Sequence, residues 1–254
     1  MSGSGEAPSG ELAAAGLSIP HRLADIAVAL RPGAVTAICG PNGAGKSTLL
    51  AALAGLLPPG SGEVTLDGVR IDRVTAEARA RAIGYLPQTP EIAWDIDVAT
   101  LARLGRLPWR TSAAEDRAAV DEALDALDLG PLARRPLSRL SGGERARALL
   151  ARVLAGRPRW ILADEPLASL DLAHQASLLD RFADLADSGI GVVLVLHDLA
   201  RAINRADRVL VIDRGRIAAH GAPEAALDES VIRGVWRVEA RWLGEPGRRA
   251  LAVG

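Results

Sequence analysis

Lysine is almost missing from this chain of 254 residues: of 30 Lys and Arg side chains, only Lys46 is a lysine. Aromatic residues are scarce at 3%, a bias that, with abundant Ala, Arg, Gly and Pro, points to a GC-rich bacterial coding sequence rather than to a chemistry. A single cysteine, Cys39, excludes an intrachain disulfide and suits a reducing compartment. Long apolar runs are missing too. Stretches such as Val192 to Leu196 are far too short to cross a bilayer. Residues 1–10 are Ser- and Gly-rich without the apolar centre of a signal peptide, and read as a disordered tail. The expected location is therefore the cytoplasm, with any membrane reached through a partner. Net charge is −1 with no basic stripe, so no nucleic-acid partner is expected.

What remains is a chain with 49% hydrophobic and 24% charged residues, ordinary for a globular protein with a substantial core. Its length suits one large α/β domain with room for an inserted subdomain. The lone lysine lies in Gly40-Pro41-Asn42-Gly43-Ala44-Gly45-Lys46-Ser47-Thr48, which fits the phosphate-binding pattern G-x-x-x-x-G-K-[ST]. Its glycines let the backbone curl and point N–H groups at phosphate oxygens. The ammonium is a compact charge that can follow β- and γ-phosphates, and the Ser47 hydroxyl is placed to hold Mg²⁺. A nucleoside triphosphate with Mg²⁺ is the ligand this loop predicts.

The context agrees. Ala34 to Cys39 is apolar on both faces, as a buried parallel strand requires, and a helix is expected from Ser47 to Leu57, stopped by Pro58-Pro59-Gly60. Two similar strands end in Asp164-Glu165 and in His197-Asp198. Ligands of open parallel sheets bind beyond the carboxyl ends of the strands, so Lys46, Asp164, Glu165 and His197 should converge on one edge. Asp164 is the expected Mg²⁺ carboxylate, and Glu165 the expected general base for an attacking water. Alternating pieces within Leu12 to Leu30 and Val64 to Ile71 suggest antiparallel strands. Ala113 to Leu129 carries Val120, Leu124 and Leu127 at helical spacing.

Leu140-Ser141-Gly142-Gly143-Glu144 has two readings. Ser141 and Glu144 form a capping box at a helix start, and a serine with two glycines there offers a second anion-binding surface. Both can hold. The stretch resembles the LSGGE signature of ABC-type ATPases. Gln88 matches their Q-loop, Ser169-Leu170-Asp171 their D-loop, and His197 their switch histidine. The resemblance runs from about Leu12 to Ala226. It implies a P-loop NTPase core of α/β class with a mainly parallel sheet, an antiparallel β subdomain and a helical subdomain inserted at about residues 89–155. The ATPase domain would span residues 11–228, followed by a C-terminal extension over 229–254. It also implies a head-to-tail pair of identical copies, in which Ser141, Gly142, Gly143, Glu144 and Asp171 of one copy cover the ATP held by the other. Gln88 would sense γ-phosphate and metal, and His197 would hold γ-phosphate and water.

Leu104-Gly105-Arg106-Leu107-Pro108 and Leu170-Asp171-Leu172-Ala173-His174-Gln175 are similar to segments of importer ATPases for iron-siderophore, haem and cobalamin. That resemblance implies permease subunits in the membrane and a substrate-binding protein, without naming the cargo. Without it, Gly105-Arg106 reads as a helix end and His174-Gln175 as an exposed helical face. The family usually has an aromatic upstream of the phosphate loop to stack on adenine; here Leu17 to Leu23 contains none, and His21 is the nearest ring. A GTPase would need Asn-Lys-x-Asp, impossible where Lys46 is the only lysine. An ABC-type protein acting on DNA or ribosomes would bring long coiled coils or a second ATPase domain. Glu165 and His197 argue against a non-catalytic regulator.

Overall fold

The computed structural model describes residues 10–88, 95–168 and 170–254. Residues 1–9 of the expected tail, the start of the expected helical insertion at 89–94, and Ser169 of the D-loop lie outside the described residues. Gly10 is buried: its amide donates to Asp67 Oδ1 at 2.7 Å, and its carbonyl accepts the Trp160 indole N–H at 3.1 Å.

Two strands, β1 (Leu12–Ile19) and β2 (Leu23–Leu30), precede β3 (Val35–Cys39) and α1 (Lys46–Leu53). Then come β4 (Ser61–Leu66), β5 (Val69–Arg70), α2 (Ala76–Ala82) and β6 (Ile83–Leu86). The helices α3 (Val98–Leu104), α4 (Ala113–Asp125) and α5 (Gly142–Ala155) lead to β7 (Trp160–Asp164) and α6 (Leu172–Asp187). Further on are β8 (Gly191–Val195), α7 (Leu199–Arg205), β9 (Arg208–Asp213) and β10 (Arg216–Gly221). The chain ends with α8 (Pro223–Ala226), α9 (Glu229–Trp236), β11 (Ala240–Leu243) and β12 (Ala250–Val253).

The strands form a six-stranded sheet in the order β10-β9-β3-β8-β7-β6, a four-stranded sheet β2-β1-β4-β5, and the β11-β12 hairpin. All pairs of the larger sheet are parallel except β9 with β10, and all those of the four-stranded sheet are antiparallel. The central strands are buried on both faces, which explains their unbroken apolar runs. Side chains that alternate across the sheet feed two cores. Val35, Ala37, Ile161, Ala163, Val192 and Leu194 pack against α3 to α7. Ile38, Trp160, Leu162, Val193 and Val195 pack against α1 and the antiparallel sheet. The phosphate-loop helix is thus wedged between two sheets, with Leu49, Leu50 and Leu53 fully buried.

Helix α1 ends well short of the prolines expected to stop it. Ala54 caps it, and Gly55 at φ 67° turns the chain away, the left-handed exit that glycine accepts without a Cβ clash. Likewise α4 stops at Asp125, not Leu129, with Asp128 at φ 54°. The segment Leu104 to Pro108 is indeed a helix end, with Gly105 capping α3. Arg106 is buried, bonded to Asp116 at 2.8 Å, Thr111 at 2.9 Å and the Ala155 carbonyl at 3.1 Å, with Trp109 beneath its guanidinium at 4.7 Å.

Candidate functional site

The carboxyl ends of β3, β7 and β8 lie side by side because β8 pairs with both of the others. Gly40 to Gly45 follow β3, and Gly45 at φ 108° opens α1. Lys46 is buried, and its Nζ donates to the carbonyls of Gly40 at 2.9 Å and Pro41 at 3.0 Å. Burial pushes its ammonium below the usual lysine range, against the pull of Glu165, Cys39 and Asp164. Ala44 ties the loop to the β9–β10 turn, its carbonyl accepting the Gly215 amide at 2.9 Å.

Ser47 donates from Oγ to Asp164 Oδ1 at 3.1 Å. Asp164 ends β7 and is buried, and burial raises its pKa. The Ser47 hydrogen bond and Lys46 oppose that shift, while Glu165 adds to it. A buried carboxylate facing a hydroxyl is an all-oxygen donor set, which fits a hard cation such as Mg²⁺. Among the described residues no cluster of three or more His, Cys, Asp or Glu could hold a metal ion.

Glu165 has a left-handed backbone, φ 51°, uncommon for a residue with a side chain. The turn swings its carboxylate between two partners: Gln88 Nε2 donates to Oε2 at 2.7 Å, and His197 Nε2 lies 2.5 Å from Oε1. One polar cavity of about 410 Å³ is lined by Asn42, Gly43, Gly45, Lys46, Ser47 and Thr48, together with Gln88, Glu165 and His197. The convergence expected from three strand ends is therefore present. The lining residue that sequence reasoning missed is Arg22, in the β1–β2 turn. His21, the ring expected near the base, is exposed at φ 59° and does not line the cavity. Nothing in the residue pattern separates these neighbours; the turn geometry does.

Ser141 to Glu144 stand apart from that cavity. Ser141 Oγ accepts the Glu144 amide at 3.2 Å, and Glu144 Oε2 accepts the Ser141 amide at 2.8 Å, so the capping box is complete. Gly142 lines a separate, more apolar cavity of about 350 Å³ with Leu86, Gln88, Glu165 and Phe182. Gly143 is buried against His174, and a Cβ there would stand 2.0 Å from the ring. Asp171 caps α6, accepting the His174 amide at 2.9 Å and holding its Nδ1 at 2.8 Å. Gln175 donates to the carbonyls of Leu167 at 3.2 Å and Leu170 at 2.7 Å. His174 and Gln175 are thus not a free helical face: they brace the tip of α5 and the chain before α6.

Comparison with known proteins bears on this arrangement. Residues 23–168 match the family described as ABC transporter. A hemin import ATP-binding protein of Streptomyces coelicolor is 42% identical over 254 residues, covering 97% of this chain and 91% of that one. That of Rhodococcus jostii is 44% identical over 216 residues, covering 84% and 74%. Among solved structures, a putative metal-chelate type ABC transporter in an inward-facing conformation aligns with a TM-score of 0.82 at 25% identity, over 97% of both chains. The cbiO1 protein of Clostridium perfringens, part of the ABC transporter complex cbiONQ, aligns with a TM-score of 0.78 at 28% identity, over 87% of this chain and 92% of that one.

Proposed function

The chain belongs to the ABC transporter family, and from that premise we propose that it is the ATP-hydrolysing subunit of an importer for haem or a related metal chelate. The observation that carries the ATPase reading is the clamp on Glu165, whose two carboxylate oxygens face Gln88 and His197 at the rim of the phosphate-loop cavity. The cargo class follows the relatives, which are hemin import ATP-binding proteins at 42% and 44% identity.

The backbone amides of Gly43, Ala44 and Gly45 and the Lys46 ammonium hold the β- and γ-phosphates. Lys46 leaves the carbonyls of Gly40 and Pro41 to do so. Ser47 and Asp164, with Gln88 at the rim, would hold Mg²⁺ through oxygen, and the ion would supply charge neutralisation to the phosphates. Glu165 accepts the proton of the attacking water. Gln88 and His197, already against its two oxygens, fix the carboxylate, and His197 orients the γ-phosphate and water. Ser141 to Glu144 lie outside the cavity that their own chain lines, so they serve a nucleotide held by a second copy. Helix α5 there presents its N-terminal amides, and Asp171 borders the same face.

Among the described residues no helix is long and apolar enough to cross a membrane. On this reading, which follows the relatives, transport runs through separate permease subunits, with this chain on their cytoplasmic side and a substrate-binding protein delivering cargo outside. The test is Glu165→Gln. ATP binding persists, hydrolysis falls by about a hundredfold to ten-thousandfold, and the variant gathers as a dimer in size-exclusion chromatography with ATP. Full activity in a monomeric Glu165→Gln protein refutes the assignment.

A further inference from the structure

The phosphate-loop cavity has one lining side chain that this function leaves unused. Arg22 lies in the turn from β1 to β2, and its backbone is tightly fixed. A Cβ on Gly45 would stand 2.9 Å from the Arg22 carbonyl oxygen, and one on Gly215 only 2.6 Å from it. Both glycines have positive φ, 108° and 76°. The Ala24 amide donates to the Gly215 carbonyl at 2.8 Å, and Gly215 in turn is bonded to Ala44. Three turns are thereby laced together by backbone alone, so the Cα of Arg22 has a set position relative to the phosphate loop. Its side chain is exposed. It takes part in none of the ion pairs among the described residues, although eleven other arginines do, so arginine here readily finds carboxylates.

The two ends of the cavity differ. Gln88, Glu165 and His197 touch one another and mark the end where the terminal phosphate is attacked. Arg22 packs on Gly45, at the start of α1, on the other flank of the loop. A nucleotide with its γ-phosphate at Glu165 and its β-phosphate on the loop sends its nucleoside out past that flank. No Phe, Tyr or Trp is among the residues that line the cavity, and its one ring, the His197 imidazole, is held against Glu165 at the opposite end, so on this flank the face of a purine meets a guanidinium or water. A guanidinium is flat, delocalised and weakly hydrated, and it stacks on π-faces where an ammonium does not.

We propose that Arg22 stacks its guanidinium on the purine of the bound nucleotide and supplies the base recognition that no ring of this cavity provides. The assignment rests on the nucleotide-site reading above. Because stacking reads the face and not the edge of a base, ATP and GTP are held about equally.

The experiment is a kinetic series on the purified full chain, with inorganic tripolyphosphate, which has no base, as competing ligand. Arg22→Ala raises KM for ATP roughly tenfold with kcat changed by less than about twofold, the pattern of lost uniform binding. Arg22→Trp restores KM, Arg22→Lys does not, and inhibition by tripolyphosphate is the same in all of them. An unchanged KM in Arg22→Ala overturns the proposal. So does rescue by Arg22→Lys with weakened tripolyphosphate inhibition in Arg22→Ala, which would make the guanidinium a phosphate ligand. Lys46→Ala is run beside the series and loses ATP and tripolyphosphate alike. If it keeps both, the nucleotide site itself has been misplaced, whatever Arg22 does.

Discussion

Asp164 shows how much of this site is held against its own stability. A carboxylate with a raised pKa is one whose charge the fold disfavours, and burial is the main cause here. The sign is clear: with the folded pKa above the unfolded one, the ionised group opposes folding at neutral pH, and protonation relieves that cost as pH falls. Asp164→Asn keeps an oxygen for the Ser47 hydroxyl and removes the charge. The nucleotide-free variant is expected to melt roughly 2–4 °C higher, the shift that about 1 kcal/mol produces in a chain of this size, while Mg²⁺-dependent hydrolysis is lost. A lower melting temperature by calorimetry would show that the ionised carboxylate supports the fold. Lys46 is kept in the same tension, its ammonium depressed by burial and lent to two carbonyls until phosphate takes it. Such residues were legible from sequence because the chemistry prescribes their types: a lysine in a glycine loop, acids at a strand end. Arg22 was not, since an arginine in a polar turn resembles any other surface arginine until the turn is seen docked on Gly45 and Gly215.

Helices α3, α4, α5, α6 and α9 begin on carboxylates. Hydrogen bonds from Thr100, Ser112, Ser141, His174 and Ser230 hold Asp97, Glu115, Glu144, Asp171 and Asp228, respectively, below the usual carboxylate range. Their folded pKa values lie under the unfolded ones, so the stability they contribute is present above about pH 4, where free carboxylates titrate. It is lost as pH falls through the lowered values. The melting temperature should hold from neutral pH to about pH 5 and then drop as the caps protonate. In the double variant Glu115→Gln, Glu144→Gln that acid drop is shallower, because two of the titrating groups are gone. An identical slope in the two proteins would mean the capping boxes add no pH-dependent stability. The box at Ser141 was readable as four letters of sequence, as were β3, β7 and β8, because a strand buried on both faces shows as an unbroken apolar run. The short strand β6 and the β11–β12 hairpin were not: β6 is only four residues with half-buried Gly84 and Tyr85 at its centre, and the hairpin mixes exposed and half-buried positions. The hairpin leans on distant partners, such as Asn204, whose side chain bonds both the amide and the carbonyl of Arg249 at 2.8 Å.

At the scale of the whole molecule, the proposed reading gives one chain two half-sites in separate cavities, with Gln88 and Glu165 lining both. The phosphate loop, Glu165 and His197 share a cavity, with Asp164 bonded to Ser47 beside it, and no residue from Ser141 to Glu144 lines that cavity. Within the chain the covering half is braced. Gly143 leaves room for the His174 ring, and the ring is tied to Asp171, so the tip of α5 packs on the start of α6. A pair related by a two-fold axis places the same patch of each copy against the other, which closes both half-sites at once. Complementation separates this arrangement from a self-sufficient monomer. Lys46→Ala disables the phosphate side of a copy, and Ser141→Arg blocks its covering side with a bulky cation. Either variant alone forms dimers in which each site has one broken half. In a mixed dimer, the Lys46 of one subunit meets the Ser141 of the other, and one of the two sites is intact. Equal mixing gives mixed dimers in half of the population, so the mixture should recover roughly a quarter of the wild-type sites, as random pairing of symmetric partners requires. ATPase activity of the mixture that only equals the average of the separate variants would mean that each chain completes its own site.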